Sequence, residues 1–140
     1  LVDENIYFNS YPIFLSSCAT TKKETLYKRL GGKEGIEKIT DNLIKNIGKD
    51  KEIFHYFAKT NISHFRRGLN LHLCDVSDGP CRYDGDSMVD IHTGMNINKS
   101  DFNHLVELLI NAMEEANVNI RTQNQLLARL APLREQVIHH

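Results

Sequence analysis

The stretch Ser100-Asp101-Phe102-Asn103-His104-Leu105-Val106-Glu107-Leu108-Leu109-Ile110-Asn111-Ala112-Met113 decides the fold class. Phe102, Leu105, Val106, Leu109, Ile110 and Met113 fall at alternating steps of three and one, which gathers them on one face of an α-helix. A strand would instead alternate apolar and polar residues at every second position. Ser100 is a suitable residue to open this helix, and Asn117 marks its end. Downstream, Leu126, Leu127, Leu130, Leu133 and Val137 predict a last helix in which Pro132 forces a kink or a break.

Upstream the same period persists. Thr25 caps a short first helix through Arg29, stopped by Gly31-Gly32. Ile36, Ile39, Leu43 and Ile47 form one stripe of a helix ending near Gly48. Ile53, Phe54, Tyr56 and Phe57 make an aromatic corner, and Asn61 then caps a helix with Ile62, Phe65, Leu69 and Leu73 on one side. Asp78-Gly79-Pro80 and Asp84-Gly85 mark Asp75 to Asp86 as loop. A short apolar patch, Met88-Val89-Ile91, ends at His92-Thr93-Gly94. Strict period-two alternation and internal repeats are both missing, so the fold class is all-α, with four long helices plus short ones.

Composition narrows the function classes. A chain of 140 residues usually forms one domain, and 41% hydrophobic with 25% charged residues is ordinary for a globular protein. Seventeen basic against eighteen acidic residues give a net charge of −1, which offers no field for nucleic acid and no polybasic membrane footprint. No apolar run approaches the ~18 residues of a membrane span. Three cysteines are too few for a disulfide scaffold and too scattered for a zinc finger.

The two ends read differently from the body. Leu1 in place of Met suggests numbering that starts inside a longer product, and residues 4–10 resemble a degenerate protease-cleavage tag. Leu15-Ser16-Ser17-Cys18 resembles the lipobox of bacterial lipoproteins, with the polar Thr20-Thr21-Lys22-Lys23 as tether; the alternative is a chance Cys in a tail. The expected division is a leader or tether over 1–24, a domain over 25–138 and a tail of His139-His140. Acylated Cys18 would place the protein on the bacterial envelope facing the periplasm, and without it the expectation is cytoplasmic.

The chemistry-bearing motifs are few. There is no phosphate loop, CxxC, HExxH or nucleophile elbow. Seven histidines remain, at positions 55, 64, 72, 92, 104, 139 and 140. His92 stands apart, because it follows an apolar patch and precedes a glycine. A neutral imidazole there could ligate a metal held against the stripe of residues 62–73; the bland alternative is a half-buried structural histidine.

The order of features then points to a family. Leu26-Tyr27-Lys28-Arg29-Leu30-Gly31-Gly32 resembles the opening of the group I truncated haemoglobins. So do Phe57 after an aromatic corner, Asp78-Gly79-Pro80 with Tyr83-Asp84-Gly85, Met88-x-x-x-His92-x-Gly94, Phe102, and Leu130-Ala131-Pro132-Leu133. The resemblance runs from about Thr25 to Val137 and implies a two-over-two helical sandwich around haem b. It makes His92 the proximal iron ligand and Phe57 a porphyrin-packing residue. Met88, Leu105, Leu109, Leu126 and Leu130 would line the slot. Arg66, Arg67, Arg82 and Tyr83 are the available propionate donors, although charged side chains at a surface are often simply solvated.

The sequence also departs from that family. Its usual distal donors, a Tyr and a Gln or other polar residue, match Ile44, Phe65 and Leu69 here, all apolar. A dioxygen ligand would lose a hydrogen bond of about 1–3 kcal/mol. Fast oxygen release and easier autoxidation are expected, with CO and NO less affected. Relatives that close the iron with a second His or Lys place it where Gly68 stands. His72 remains as a distal candidate, or else lies over the haem edge or in solvent. If Cys18 is lipidated, Cys74 and Cys81 are left as a pair close enough in sequence to bridge; in a cytosolic setting they would be thiols. The functional expectation is a haem b protein binding O2, NO or CO, more a gas binder than an enzyme, with an unknown reductase. The alternatives are an oxidoreductase for NO or peroxide, and an all-α interaction module without haem.

Overall fold

The computed structural model describes residues 22–140, so the tag-like stretch and the lipobox-like Cys18 lie outside the described residues. Among them the chain forms seven α-helices and one 3-10 segment, with no strand. Helix α1 (Leu26–Arg29) is capped by the Thr25 hydroxyl, which accepts the Lys28 N–H at 3.3 Å. The turn that follows puts Gly31 at φ 94° and Gly32 at φ 64°, left-handed conformations that explain the glycine pair. Helix α2 (Gly32–Lys49) buries Ile36, Ile39, Leu43 and Ile47, the stripe expected of it. The aromatic corner is a single turn, α3 (Phe54–Phe57).

Helix α4 (Ile62–Val76) opens as expected on Asn61, whose side chain accepts the His64 N–H at 2.9 Å. It outruns the predicted loop start at Asp75. The Ser77 hydroxyl supplies the reason, donating back to the Leu73 carbonyl at 2.6 Å and satisfying a carbonyl at the helix end. Helix α5 (Met88–His92) is capped by Ser87, whose hydroxyl accepts the Asp90 N–H at 3.1 Å. Helix α6 (Lys99–Glu115) is capped by Asn98 rather than Ser100, with the Asp101 N–H donating to Asn98 Oδ1 at 2.8 Å. Asn and Ser cap about equally well, so the sequence alone did not separate them. Asn117 sits just past the end at φ 57°. Helix α7 (Ile120–Leu130) gives way at Pro132 to the 3-10 segment Ala131–Gln136, a break rather than a kink.

Helix α2 is the hub, packed on α6 and on α4, while α7 docks on α1 and α4. Ile39, Ala112, Met113 and Leu126 have no exposed surface, and each large side chain so buried contributes roughly 1.5–3 kcal/mol. Asn42 Nδ2 donates to the Ala112 carbonyl at 3.1 Å and fixes the α2–α6 register. Cys74 and Cys81 form a disulfide with Cα atoms 6.0 Å apart, within the normal bridging range. The loop it closes is tight at Gly79, where a Cβ would lie 2.5 Å from Cys74 Sγ and 2.6 Å from Tyr27 Cδ2. Among the described residues no helix is long and apolar enough to cross a membrane. His139 and His140, expected as a plain tail, have paired backbones: the His139 N–H donates to the Ile97 carbonyl, and the Asn96 N–H to the His140 carbonyl, both at 2.9 Å.

Candidate functional site

The site grows from α5, a five-residue helix with no fully buried residue of its own. At its last position, His92 Nδ1 lies 2.6 Å from the Met88 carbonyl oxygen. A carbonyl can only accept, so Nδ1 carries a proton, and the neutral form of the ring has its lone pair on Nε2. This is the tautomer a metal-ligating imidazole needs, with its other nitrogen already fixed by a backbone acceptor. Sequence reasoning paired Met88 and His92 by spacing but assigned Met88 only a lining role. The signal it left unused is the i, i+4 separation, which brings a helical side chain back to the preceding turn.

A set of apolar side chains drawn from six helices stays half-buried. Ile44 on α2, Phe57 on α3, Phe65 and Leu69 on α4, Met88 on α5, Leu105 on α6 and Leu130 on α7 all belong to it. Phe57 and Phe65 meet with ring centroids 5.1 Å apart and planes tilted by 60°. Leu109 and Leu126 sit instead in the closed core, and Leu126 presents no surface to a slot. Ile44, Phe65 and Leu69 carry no donor or acceptor on their side chains.

His72 packs edge-on against Tyr83, with centroids 5.4 Å apart and an interplanar angle of 73°. Burial pushes the His72 pKa below its ordinary value, outweighing the opposite pull of Asp75. Tyr83 is held at both ends, its N–H donating to Asp75 Oδ2 at 2.9 Å and its hydroxyl to the Asp86 carbonyl at 3.0 Å. Two arginines considered for anionic groups have protein partners. Arg66 binds Asp41 through two hydrogen bonds of 2.6 and 2.9 Å, holding that carboxyl below its usual range, and Arg67 reaches Asp84 at 3.1 Å. Arg82 is exposed.

Two polar clips hold the aromatic corner and the end of α2 to α6, and neither was anticipated from sequence. Tyr56 donates its hydroxyl to Asp101 at 2.5 Å, and that bond, more than burial, pushes its pKa up to about 12. His104 Nε2 lies 2.7 Å from Asp50 Oδ2, which raises the imidazole pKa. Both join residues far apart in sequence, so no local pattern announces them.

Comparison with known proteins settles the family. The model of the family described as "Bacterial-like globin" matches residues 25–139. A group 1 truncated hemoglobin of Tetrahymena thermophila is 30% identical over 98 residues, covering 70% of this chain and 81% of the relative. The chain belongs to the group 1 truncated haemoglobins. The relative from a Nostoc species is 29% identical over 115 residues, covering 82% of this chain and 98% of its own length. The crystal structure of truncated hemoglobin from Tetrahymena pyriformis in its Fe(III) form superposes with a TM-score of 0.80. At 24% identity it covers 84% of this chain and all of its own, and confirms the two-over-two helical fold.

Haem is the cofactor of this family, and the donors present fit it. Among the described residues no three His, Cys, Asp or Glu side chains gather to hold a metal ion. A haem iron asks for no such group, since the porphyrin supplies four nitrogens and the protein one axial ligand. This truncated haemoglobin offers one imidazole whose neutral form has its lone pair on Nε2, and a set of half-buried apolar side chains suited to a flat apolar group.

Proposed function

We propose that this truncated haemoglobin holds haem b through His92 Nε2 and binds a diatomic gas reversibly. The observation that carries the reading is the Nδ1 contact to the Met88 carbonyl, which readies the other ring nitrogen for iron. When bound, haem would supply an iron able to take up O2, NO or CO, with His92 as the residue that would hold it. Phe57 and Phe65, packed on each other, would hold one edge of the ring, and Met88, Leu105 and Leu130 would exclude water from it. Ile44, Phe65 and Leu69 give a polar ligand no hydrogen bond. Oxygen would then leave faster by the loss of about 1–3 kcal/mol, with CO and NO less affected. His72, already engaged with Tyr83, stays off the iron in this reading.

The test is an absorption spectrum of the haem-loaded protein beside His92→Gly. The parent should show a Soret band and five-coordinate ferrous bands. The variant should lose them and regain them with added imidazole. A variant that keeps its ferrous spectrum unchanged without imidazole would remove His92 from the iron. Low-spin bands in the parent would bring His72 back as a ligand.

A further inference from the structure

The proximal helix has little of its own to stand on. At five residues it is far below the length at which a helix is stable alone, and it buries no residue fully. Among the helices of the described residues, it packs chiefly on the 3-10 segment Ala131–Gln136. That segment is itself pinned to α6, with the Arg134 guanidinium 5.5 Å above the Phe102 ring. The chain leaving α5 is caught on the other side. The Met95 N–H donates to the His92 carbonyl at 3.1 Å, and the next two residues, Asn96 and Ile97, pair with the backbone of His140 and His139. Ile97, Val137 and Ile138 are buried, yet they stand apart from the main core cluster. Those backbone bonds bring Ile97 to the segment that follows Val137 and Ile138, away from the main core. A ligand on so short a helix keeps only the tilt that its seat imposes, and α5 is seated on the 3-10 segment and followed by residues paired with His139 and His140.

We infer that the stretch Ala131–His140 is a strap that sets the orientation of His92, with Val137 and Ile138 as its positioning residues, and so tunes the iron–histidine bond. This rests on the assignment of His92 as iron ligand. An imidazole free to tilt bonds iron less well, and loss of such outer support typically weakens metal retention by tenfold or more.

The test uses the full chain loaded with haem, carrying Val137→Ala with Ile138→Ala, and separately the conservative Ile138→Val. Resonance Raman on the ferrous protein reads the iron–histidine stretching band, and excess apomyoglobin as acceptor reads haem loss. Hydrogen exchange on the haem-free chain reads the seat directly. The double variant should shift the band, speed haem loss roughly tenfold, and raise exchange across residues 88–97 while α2 keeps its protection. Ile138→Val should restore all three. An unmoved band with unchanged haem loss would overturn the strap, and so would exchange that rises equally in α2, since that would be a global loss of stability. A parent whose iron–histidine band survives His92→Gly would instead sink the His92 assignment, and the exchange arm would still decide whether the strap seats α5.

Discussion

The two halves of α6 carry the same apolar pattern and end in different surroundings. Toward its C-terminal end, Leu108, Leu109, Ala112 and Met113 are buried against the rest of the core, with Ile110 half-buried beside them, and Asn42 reaches across from α2 to bond the Ala112 carbonyl. Toward its N-terminal end, Phe102, Leu105 and Val106 remain half-buried, on a level with Phe57, Phe65 and Met88 elsewhere. Periodicity gives the direction in which a side chain points but not what covers it. One half of this helix is finished by protein, and the other offers an apolar surface that a cofactor can complete.

That contrast can be broken by mutation. Met113→Ala, in the closed half, should cost about 2–5 kcal/mol with haem present or absent, because a cavity opens where the surroundings cannot collapse. Urea unfolding of both forms measures it. A smaller loss confined to the haem-bound form would mean that the closed half is not closed. The C-terminal end of α4 is fastened covalently to the loop after it by the Cys74–Cys81 bridge, which spans seven residues of sequence. Reduction should cost about 2–3 kcal/mol of thermal stability and add two hydrogens to the intact mass. An unchanged mass would remove the bridge.

Leu105→Ala sharpens the comparison, since it truncates an apolar side chain of similar size eight positions earlier on the same helix. The haem-free protein should lose only about 1 kcal/mol, because the side chain is only partly buried, while haem loss accelerates. An effect as large without haem as that of Met113→Ala would erase the difference between the two halves.

The smallest effect concerns the Asp50–His104 clip at the entry to α6. The His104 pKa lies above its ordinary 6.5, chiefly through the hydrogen bond to Asp50, so the folded state binds the proton more tightly than the unfolded. The stabilisation is fully present below about pH 6.5 and fades as pH rises through the higher folded value. Asp50 is held below 3.8, first by the Ile53 N–H, so its share is present above that pH and is lost in acid. Thermal melts of His104→Asn against the parent should therefore differ most near pH 5 to 6 and converge above neutrality. A difference that grows with pH would reverse the assignment.

Much of the frame was legible because its signals are local. Thr25 and Asn61 cap the helices they were expected to cap, the Ile36–Ile47 stripe is buried, and Pro132 ends α7. The shortfalls have physical causes. Asn98 and Ser100 are interchangeable as caps on propensity, and only the Asp101 N–H shows which one is used. Leu108 and Ala112 were left off the core face of α6 because a narrow stripe was read where the helix is buried more widely. The clips from Tyr56 and His104, and the pairing of the last two residues with Asn96 and Ile97, join distant segments and leave no trace in local pattern. Of the candidate site, the spacing of Met88 and His92 was visible, but the hydrogen bond it creates was not.

Gly68 bears on the future of this chain as much as on its present. A Cβ built on it meets no heavy atom within 4 Å, although it sits mid-way along α4 where glycine costs a helix about 1 kcal/mol against alanine. The position is therefore a standing opportunity for divergence. An imidazole or an amine could be installed there by exchanging one residue, gaining helix stability and displacing no neighbour on entry. That ground lies next to Leu69 and one turn from Phe65, whose side chains offer only hydrocarbon.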